Sequence, residues 1–423
     1  MRRPFVFAWI CLLVTCALAG SAVAQPYLLE PARVFDGQEM HTGWGVLVDG
    51  EYIRDAGPIN SLDVPRNVQR IQLADMTLLP GLIEGHSHLL LHPYDETGWN
   101  DQVLKEPEAL RVARATNHAR ATLMAGFTTV RDLGSEGAGY ADVGIKKAID
   151  QGIIEGPRML VAGRAIVATG SYGPKGFSYD FDIPLGAEPA DANNLIRVVR
   201  DQIGRGADII KVYADYRWGP NGEAMPTFSE DELSLIVQTA NSSGRPVVAH
   251  AATAEGMRRA ILAGVETIEH GDGATDEVLA LMKEHGVAFC STLGAVEAIS
   301  RYNGWNGEAP VPARIAVKHD TFKRTLAAGV TLCAGSDVGV FDHGDNAWEL
   351  ELMVDYGMEP LAVLRAATSV NARLFHMADK IGQIKSGLLA DLIAVPGNPV
   401  DDISALRSVE MVMKGGWIYK QSE

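Results

Sequence analysis

From about Leu78 the chain alternates short apolar runs with longer stretches of helical periodicity, and this alternation narrows the available folds more than any other feature. A strand that is followed by a helix and then another strand returns parallel to its start, so repeated units build a parallel sheet buried on both faces. The strand-like runs are Leu78–His88, Thr128–Leu133, Met159–Val167, Asp208–Ala214, Val247–Ala251, Thr267–His270, Val287–Thr292 and Thr331–Ser336, eight in all. Helical patterns cover Glu108–Met124, Ala190–Arg205, Ser229–Ser242, Ala254–Ala263 and Pro312–Ala328, and Gly126, Gly206, Gly264 and Gly329 stand just past four of them as stop signals. The pattern predicts an α/β fold with a (β/α)8 TIM barrel over residues 78–379. A doubly wound open sheet is the competing fold, but no glycine-rich dinucleotide fingerprint follows the first strand.

Residues 25–77 and 380–423 have short β patterns and turns instead, and we read the two ends as one small β-sandwich domain. Gly170–Gly186, rich in Gly, Pro and Tyr, reads as a long loop above the third strand. At the start, Arg2 and Arg3 precede the apolar run Phe5–Ala19 and the small-residue pattern Ala22-Val23-Ala24, which predicts a cleaved export signal over residues 1–24 and a periplasmic or secreted protein beginning at Gln25. The apolar run is shorter than the ~20 residues a spanning helix needs, and no other stretch qualifies, so no membrane contact is expected after signal removal. Cys16 raises lipidation as a minor alternative, against which Thr15 is large for such a site. Cys11 and Cys16 leave with the signal; Cys290 and Cys333 read as buried free thiols, although neighbouring strands would permit a bridge. A formal net charge of −16 argues against a nucleic-acid partner.

The chemistry gathers at the carboxyl ends of the predicted strands. His86 and His88 close the first strand, and residues two apart on a strand face the same way, so both imidazoles can chelate one metal. His250 closes Pro246–His250, His270 closes Val265–His270, and Asp337 closes Thr331–Asp337. Taken singly, each histidine is as readily a hydrogen-bonded core residue, and the aspartate a helix cap. Lys211 lies inside Asp208-Ile-Ile-Lys-Val-Tyr213, where a buried ammonium is costly. Carbamylation by carbon dioxide would turn it into an anionic oxygen donor for two cations; the alternative is a lysine paired with a carboxylate such as Asp337.

The order His-x-His, Lys, His, His, Asp on strands one, four, five, six and eight resembles the amidohydrolase superfamily in its binuclear form. The likeness spans nearly the whole mature chain and includes Leu79-Pro-Gly-Leu-Ile83, Gly126-Phe-Thr-Thr-Val-Arg-Asp132, His343-Gly-Asp-Asn-Ala-Trp-Glu-Leu350, Ala362–Ala372 and Ile381–Leu392. It is similar to the imidazolonepropionase-related branch that holds prolidase-like dipeptidases, carboxypeptidases and ochratoxin-hydrolysing amidases. The resemblance implies that His86, His88 and Asp337 hold a buried metal, that carbamylated Lys211 bridges, and that His250 and His270 hold an outer metal. Asp337 would be the catalytic base for the attacking water and then the acid for the departing amine. Two divalent cations are implied, and zinc suits the imidazole-rich set best.

The chain also departs from that pattern. Glu84 stands where relatives usually have Asp, and Thr169-Gly-Ser-Tyr172 replaces Thr-Gly-Gly-His, so Tyr172 takes the place of a substrate-contacting histidine. Tyr213, two residues after Lys211 and therefore on its side of the strand, is a candidate substrate contact, as are Tyr172 and His343; Arg217 is a candidate carboxylate clamp. His41, His118, His285, His319 and His376 read as packing or surface residues, and His92 is left without a role. The expected activity is hydrolysis of an amide or peptide C–N bond, releasing a C-terminal amino acid from a dipeptide or N-acyl amino acid. The loop aromatics Tyr94, Trp99, Tyr172, Phe177, Tyr179, Tyr216 and Trp218 are consistent with aromatic amides such as ochratoxin. A cyclic-amide hydrolase or deaminase on the same fold and a catalytically inactive metal-binding protein are the rivals, and a homo-oligomer is left open.

Overall fold

The computed structural model describes residues 25–422 apart from 179 and 181. The export segment read over residues 1–24, with Cys11 and Cys16, and the loop residue Tyr179 lie outside the described residues.

Parallel strands follow one another in the expected order: β1 (Leu82–Ser87), β2 (Phe127–Asp132), β3 (Arg158–Val161), β4 (Ile210–Tyr213), β5 (Val247–Ala251), β6 (Thr267–His270), β7 (Ala288–Cys290) and β8 (Leu332–Cys333). Their apolar residues, among them Ile210, Val212, Ala249 and Ile268, are fully buried between helices, as a sheet covered on both faces requires. Helices Glu108–Met124, Leu195–Arg205, Glu230–Asn241, Ala254–Ala263, Asp276–His285 and Ala313–Ala328 connect them. Ser229 and Glu232 close a capping box on the fourth strand's helix, and Gly206, Gly264, Gly286 and Gly329 end their helices in the left-handed conformation.

Strand pairing forms two parallel arcs, not one unbroken ring. β1, β2 and β3 make a three-stranded sheet, and β4 to β8 run in a seven-stranded sheet whose far end is the two-residue strands Ile166–Val167 and Glu188–Pro189. The predicted strand Met159–Val167 is therefore split, with Gly163 at φ 71 between its halves. β8 pairs over two residues only, before the backbone turns at Asp337 with φ 62. Isolated hydrogen bonds span both seams: Asp208 N to Val161 O at 2.8 Å, and Gly85 N to Ala334 O at 2.9 Å with Asp337 N to His86 O at 2.8 Å.

The two ends of the chain do combine, their strands linked by hydrogen bonds into one eight-stranded sheet. Its centre is Gln69–Pro80, parallel to Tyr27–Phe35 on one side and antiparallel to Leu392–Pro396 on the other. Leu29, Val46, Ile53, Leu78, Leu392 and Met411 form a core of its own beneath it. The run Leu78–His88 is thus two strands, broken at Gly81, where a Cβ would lie 2.1 Å from Thr128 Oγ1. Only glycine allows that approach.

Cys290 and Cys333 are register partners on β7 and β8, with Cα atoms 4.7 Å apart, and are joined as a disulfide. The free thiols expected from sequence are corrected by this register, which strand prediction does not supply. No helix among the described residues is long and apolar enough to cross a membrane.

Candidate active site

β1 ends in His86-Ser87-His88, and each ring has its Nδ1 engaged. That of His86 pairs with the Glu269 carboxylate at 2.8 Å, and that of His88 donates to the Gly134 carbonyl at 2.9 Å. Both Nε2 atoms are then left to face Oδ1 of Asp337, at 3.6 Å and 3.3 Å. One ligand atom from each of His86, His88 and Asp337 lies within 4.8 Å of the others, which makes a possible metal site with its rings already oriented.

The other residues predicted from strand ends converge on it. His270 at the end of β6 lies 5.1 Å from the His86 ring and 4.6 Å from that of His250, between ring centroids. Nδ1 of His250 is buried without a hydrogen-bond partner among the described residues, an atom left free for a ligand. Lys211 on β4 is 1% exposed, with Nζ 5.7 Å from the centre of the Tyr213 ring. Asp337 faces the imidazoles of His86, His88 and His270, and the Lys211–Asp337 ion pair weighed from sequence is not formed. Imidazoles and a carboxylate are donors that suit a divalent cation.

Burial sets the protonation of these groups. It pulls His86 down to about 4 and His250 to about 3, with the Lys211 charge adding to both, and it holds His270 well below the usual imidazole range. Lys211 is lowered by the same desolvation, against the pull of Glu269 and Asp337. His88 is the exception: burial opposes its charge, but the Asp337 hydrogen bond and charge outweigh burial and raise it to about 9. Asp337 is lowered despite burial, because His86 and His88 favour its anion. Neutral imidazoles and an ionised carboxylate are the forms that bind metal.

Strain concentrates here as well. Glu136, His270, Thr292 and Asp337 are non-glycine residues at φ 46, 73, 52 and 62, and all four line one cavity of about 670 Å³ over the carboxyl ends of the strands. Such backbone is costly and marks functional positions. At His270 the turn lets consecutive residues share the interior: Glu269 reaches His86, while His270 Nδ1 meets Thr292 Oγ1 at 2.9 Å.

His88, His250, His270 and Asp337 line the cavity floor with Tyr213, and Tyr94, Trp99, Tyr172, Tyr216, Glu136 and Arg217 line its walls. Phe177 and Trp218 are exposed and not among the lining residues. His343 is corrected: Nε2 donates to the Leu91 carbonyl at 3.0 Å and the ring stacks on His118 at 4.3 Å, away from the cavity. The loop after β8 packs back onto the helix Glu108–Met124, and this turns His343 inward as a packing residue. His92 is buried between Glu96 and Glu106, His41 stacks on Trp44, and His376 pairs with Glu266.

Sequence reading singled out Glu84 but missed Glu269 and Arg131 as supporting charges. Glu269 also accepts from Arg131 at 2.8 Å, and Arg131 donates to Gly85 O at 2.7 Å beneath Phe375. Glu84 accepts from His86 N, Ser336 N, Ser336 Oγ and Asn346 Nδ2, tying β1 to the end of β8. Their signal was legible: ionisable residues inside apolar strand runs must be paired.

Residues 77–418 match the model of the amidohydrolase family. Ochratoxinase of Aspergillus niger is 32% identical over 421 aligned residues, covering 89% of this chain and 85% of the relative. A crystal structure of a Xaa-Pro dipeptidase with methionine in its active site superposes with a TM-score of 0.81 at 31% identity, covering 94% of this chain and all of that one. A prolidase complexed with N-methylphosphonate-L-proline superposes with a TM-score of 0.82 at 28% identity, again covering 94% and 100%. These neighbours share an α/β architecture of the TIM-barrel type, and the chain belongs to the amidohydrolase family and is a hydrolase.

Proposed function

We propose that this chain cleaves an amide or peptide C–N bond with two divalent cations, most suitably zinc, and releases a C-terminal amino acid from a dipeptide or N-acyl amino acid. The observation that carries the reading is the convergence of the His86 and His88 Nε2 atoms on Asp337, with His250 and His270 beside them and Lys211 buried 5.7 Å from the Tyr213 ring. His86, His88 and Asp337 would hold one cation, His250 and His270 the other, and Lys211 would bridge as a carbamate. Desolvation favours the neutral Lys211 amine, the form that adds to carbon dioxide with loss of one proton. Bound cations would supply Lewis-acid polarisation of the scissile carbonyl and a lower pKa for water.

Asp337, held ionised by its histidines, accepts the proton of the attacking water and returns it to the departing nitrogen. Burial raises the Tyr213 phenol well above 10, so it stays a proton donor and can hydrogen-bond the carbonyl oxygen as charge develops. Tyr172 is the second proposed substrate contact. The two parallel arcs would close into one eight-stranded barrel over residues 78–379, with the terminal sheet, residues 25–77 and 380–423, as a separate domain. The basic start, apolar run and Ala22-Val23-Ala24 support export of a chain beginning at Gln25.

The test is release of amino acid from N-acyl amino acids and dipeptides, including aromatic amides, by the metal- and bicarbonate-supplied protein and its Lys211→Ala variant. Turnover that the substitution abolishes is expected. Near-normal turnover by the variant at full metal occupancy contradicts the bridging role.

A further inference from the structure

We propose that Glu136, with Trp99, Tyr172, Tyr213 and Tyr216, forms a subsite for a cationic group, an ammonium or guanidinium, so that the amide substrate is a positively charged molecule. The inference rests on the amide-hydrolase reading and names the substrate class of that site.

Glu136 follows β2 and is 3% exposed, yet it contributes to the cavity wall. Oε2 accepts from two neutral donors, Trp99 Nε1 at 2.9 Å and Tyr172 Oη at 2.8 Å. Oε1 is buried with no hydrogen-bond partner among the described residues. The nearby Arg111 offsets part of its charge but donates its N–H groups to the carbonyls of Leu90, Ser135 and Glu136 itself, so it gives Oε1 no hydrogen bond. A buried carboxylate oxygen left without a donor is costly, and the N–H groups of a cation arriving from the cavity would supply one.

The rings around it suit the same visitor. Tyr172 is the hub, its centroid 4.7 Å from Tyr213, 4.8 Å from Tyr216 and 5.3 Å from Trp99. Aromatic faces carry negative potential and attract ammonium and guanidinium groups, most strongly where water is excluded. Tyr172 gives its one phenolic proton to Glu136, so it has none to offer a substrate carboxylate, and such a group would meet the Glu136 charge. Arg217, exposed 5.9 Å from the Tyr216 ring centre, lines the cavity with Lys175 and Arg314, and these positive side chains are available to an anionic end. The cavity therefore sorts charge, with the cation at the aromatic wall and the anion toward the mouth.

Three matched compounds test this and separate the sources of the cation: propionyl-norleucine has no ammonium, alanyl-norleucine has one on its α-carbon, and propionyl-lysine has one on the departing side chain. We expect kcat/KM for one of the two charged compounds to exceed that for propionyl-norleucine by about 30-fold or more. That ratio should fall below about fivefold in Glu136→Gln, whatever the variant's absolute rates, and partially in Tyr172→Phe. Calorimetric binding of the same three compounds to the purified chain reads the preference without cleavage. Preferential binding without turnover would keep the subsite and remove the hydrolase assignment for these amides. Turnover with all three compounds equal, or a charge preference unchanged in Glu136→Gln, would overturn the subsite and leave the hydrolase reading intact. If Glu136→Gln fails to fold, the wild-type ratio and Tyr172→Phe decide.

Discussion

Glu269 on β6 takes Nδ1 of His86 on β1 at 2.8 Å, and that one contact decides which nitrogen of the ring is left for Asp337. Arg131 and Thr267 hold the carboxylate in turn, so its negative charge is fully engaged behind the site. This pairing fixes the ring plane and makes the imidazole a stronger ligand.

Glu269→Gln keeps the shape and removes the charge. We expect metal affinity to fall by about 10- to 100-fold, read by competition with a chelator. Unchanged affinity would mean that His86 is oriented by packing alone.

Glu84 tests the link between β1 and the end of β8. It is buried and gathers donors from His86, Ser336 and Asn346, so Glu84→Ala strands several of them at once. The expected loss is about 2–4 kcal/mol in denaturant unfolding of the metal-free chain, and Glu84→Gln should cost less. A loss below about 0.5 kcal/mol would show that the seam is held elsewhere.

A pH-dependent term comes from Glu349. Burial raises its carboxyl from 4.5 to about 8, against the backbone N–H groups of Gly294 and Leu293 that favour the anion. The folded chain then retains a proton that the unfolded chain releases, so this contribution is fully present below about 4.5 and is lost as pH rises toward about 8. The slope approaches about 1.4 kcal/mol per pH unit for one proton. Glu349→Gln should remove that decline in Tm between these limits; an identical Tm profile in the variant would refute the assignment.

Much of this was legible before any coordinates, for a physical reason. A strand's side chains alternate, so polar residues toward the end of an apolar run point into the same space as their counterparts on other strands, as His86, His88, Lys211 and His250 do, whereas His270 and Asp337 reach that space through left-handed backbone. What sequence did not carry was register and tertiary direction. Cys290 and Cys333 meet because β7 and β8 pair at that register. His343 lies on the right loop yet turns onto His118, a choice made by a helix about 220 positions earlier in the chain. Glu136 and Glu269 gain meaning only from partners on other strands and loops, Tyr172 and His86, that no local pattern associates with them.

The most direct test of the central claim is metal content of the purified chain measured alongside amide turnover, in protein supplied with zinc and bicarbonate. The account predicts about two cations per chain, a fall to about one or fewer in Lys211→Ala, and turnover that tracks full occupancy. One metal or none in the active wild-type protein, or full activity after complete chelation, would contradict it.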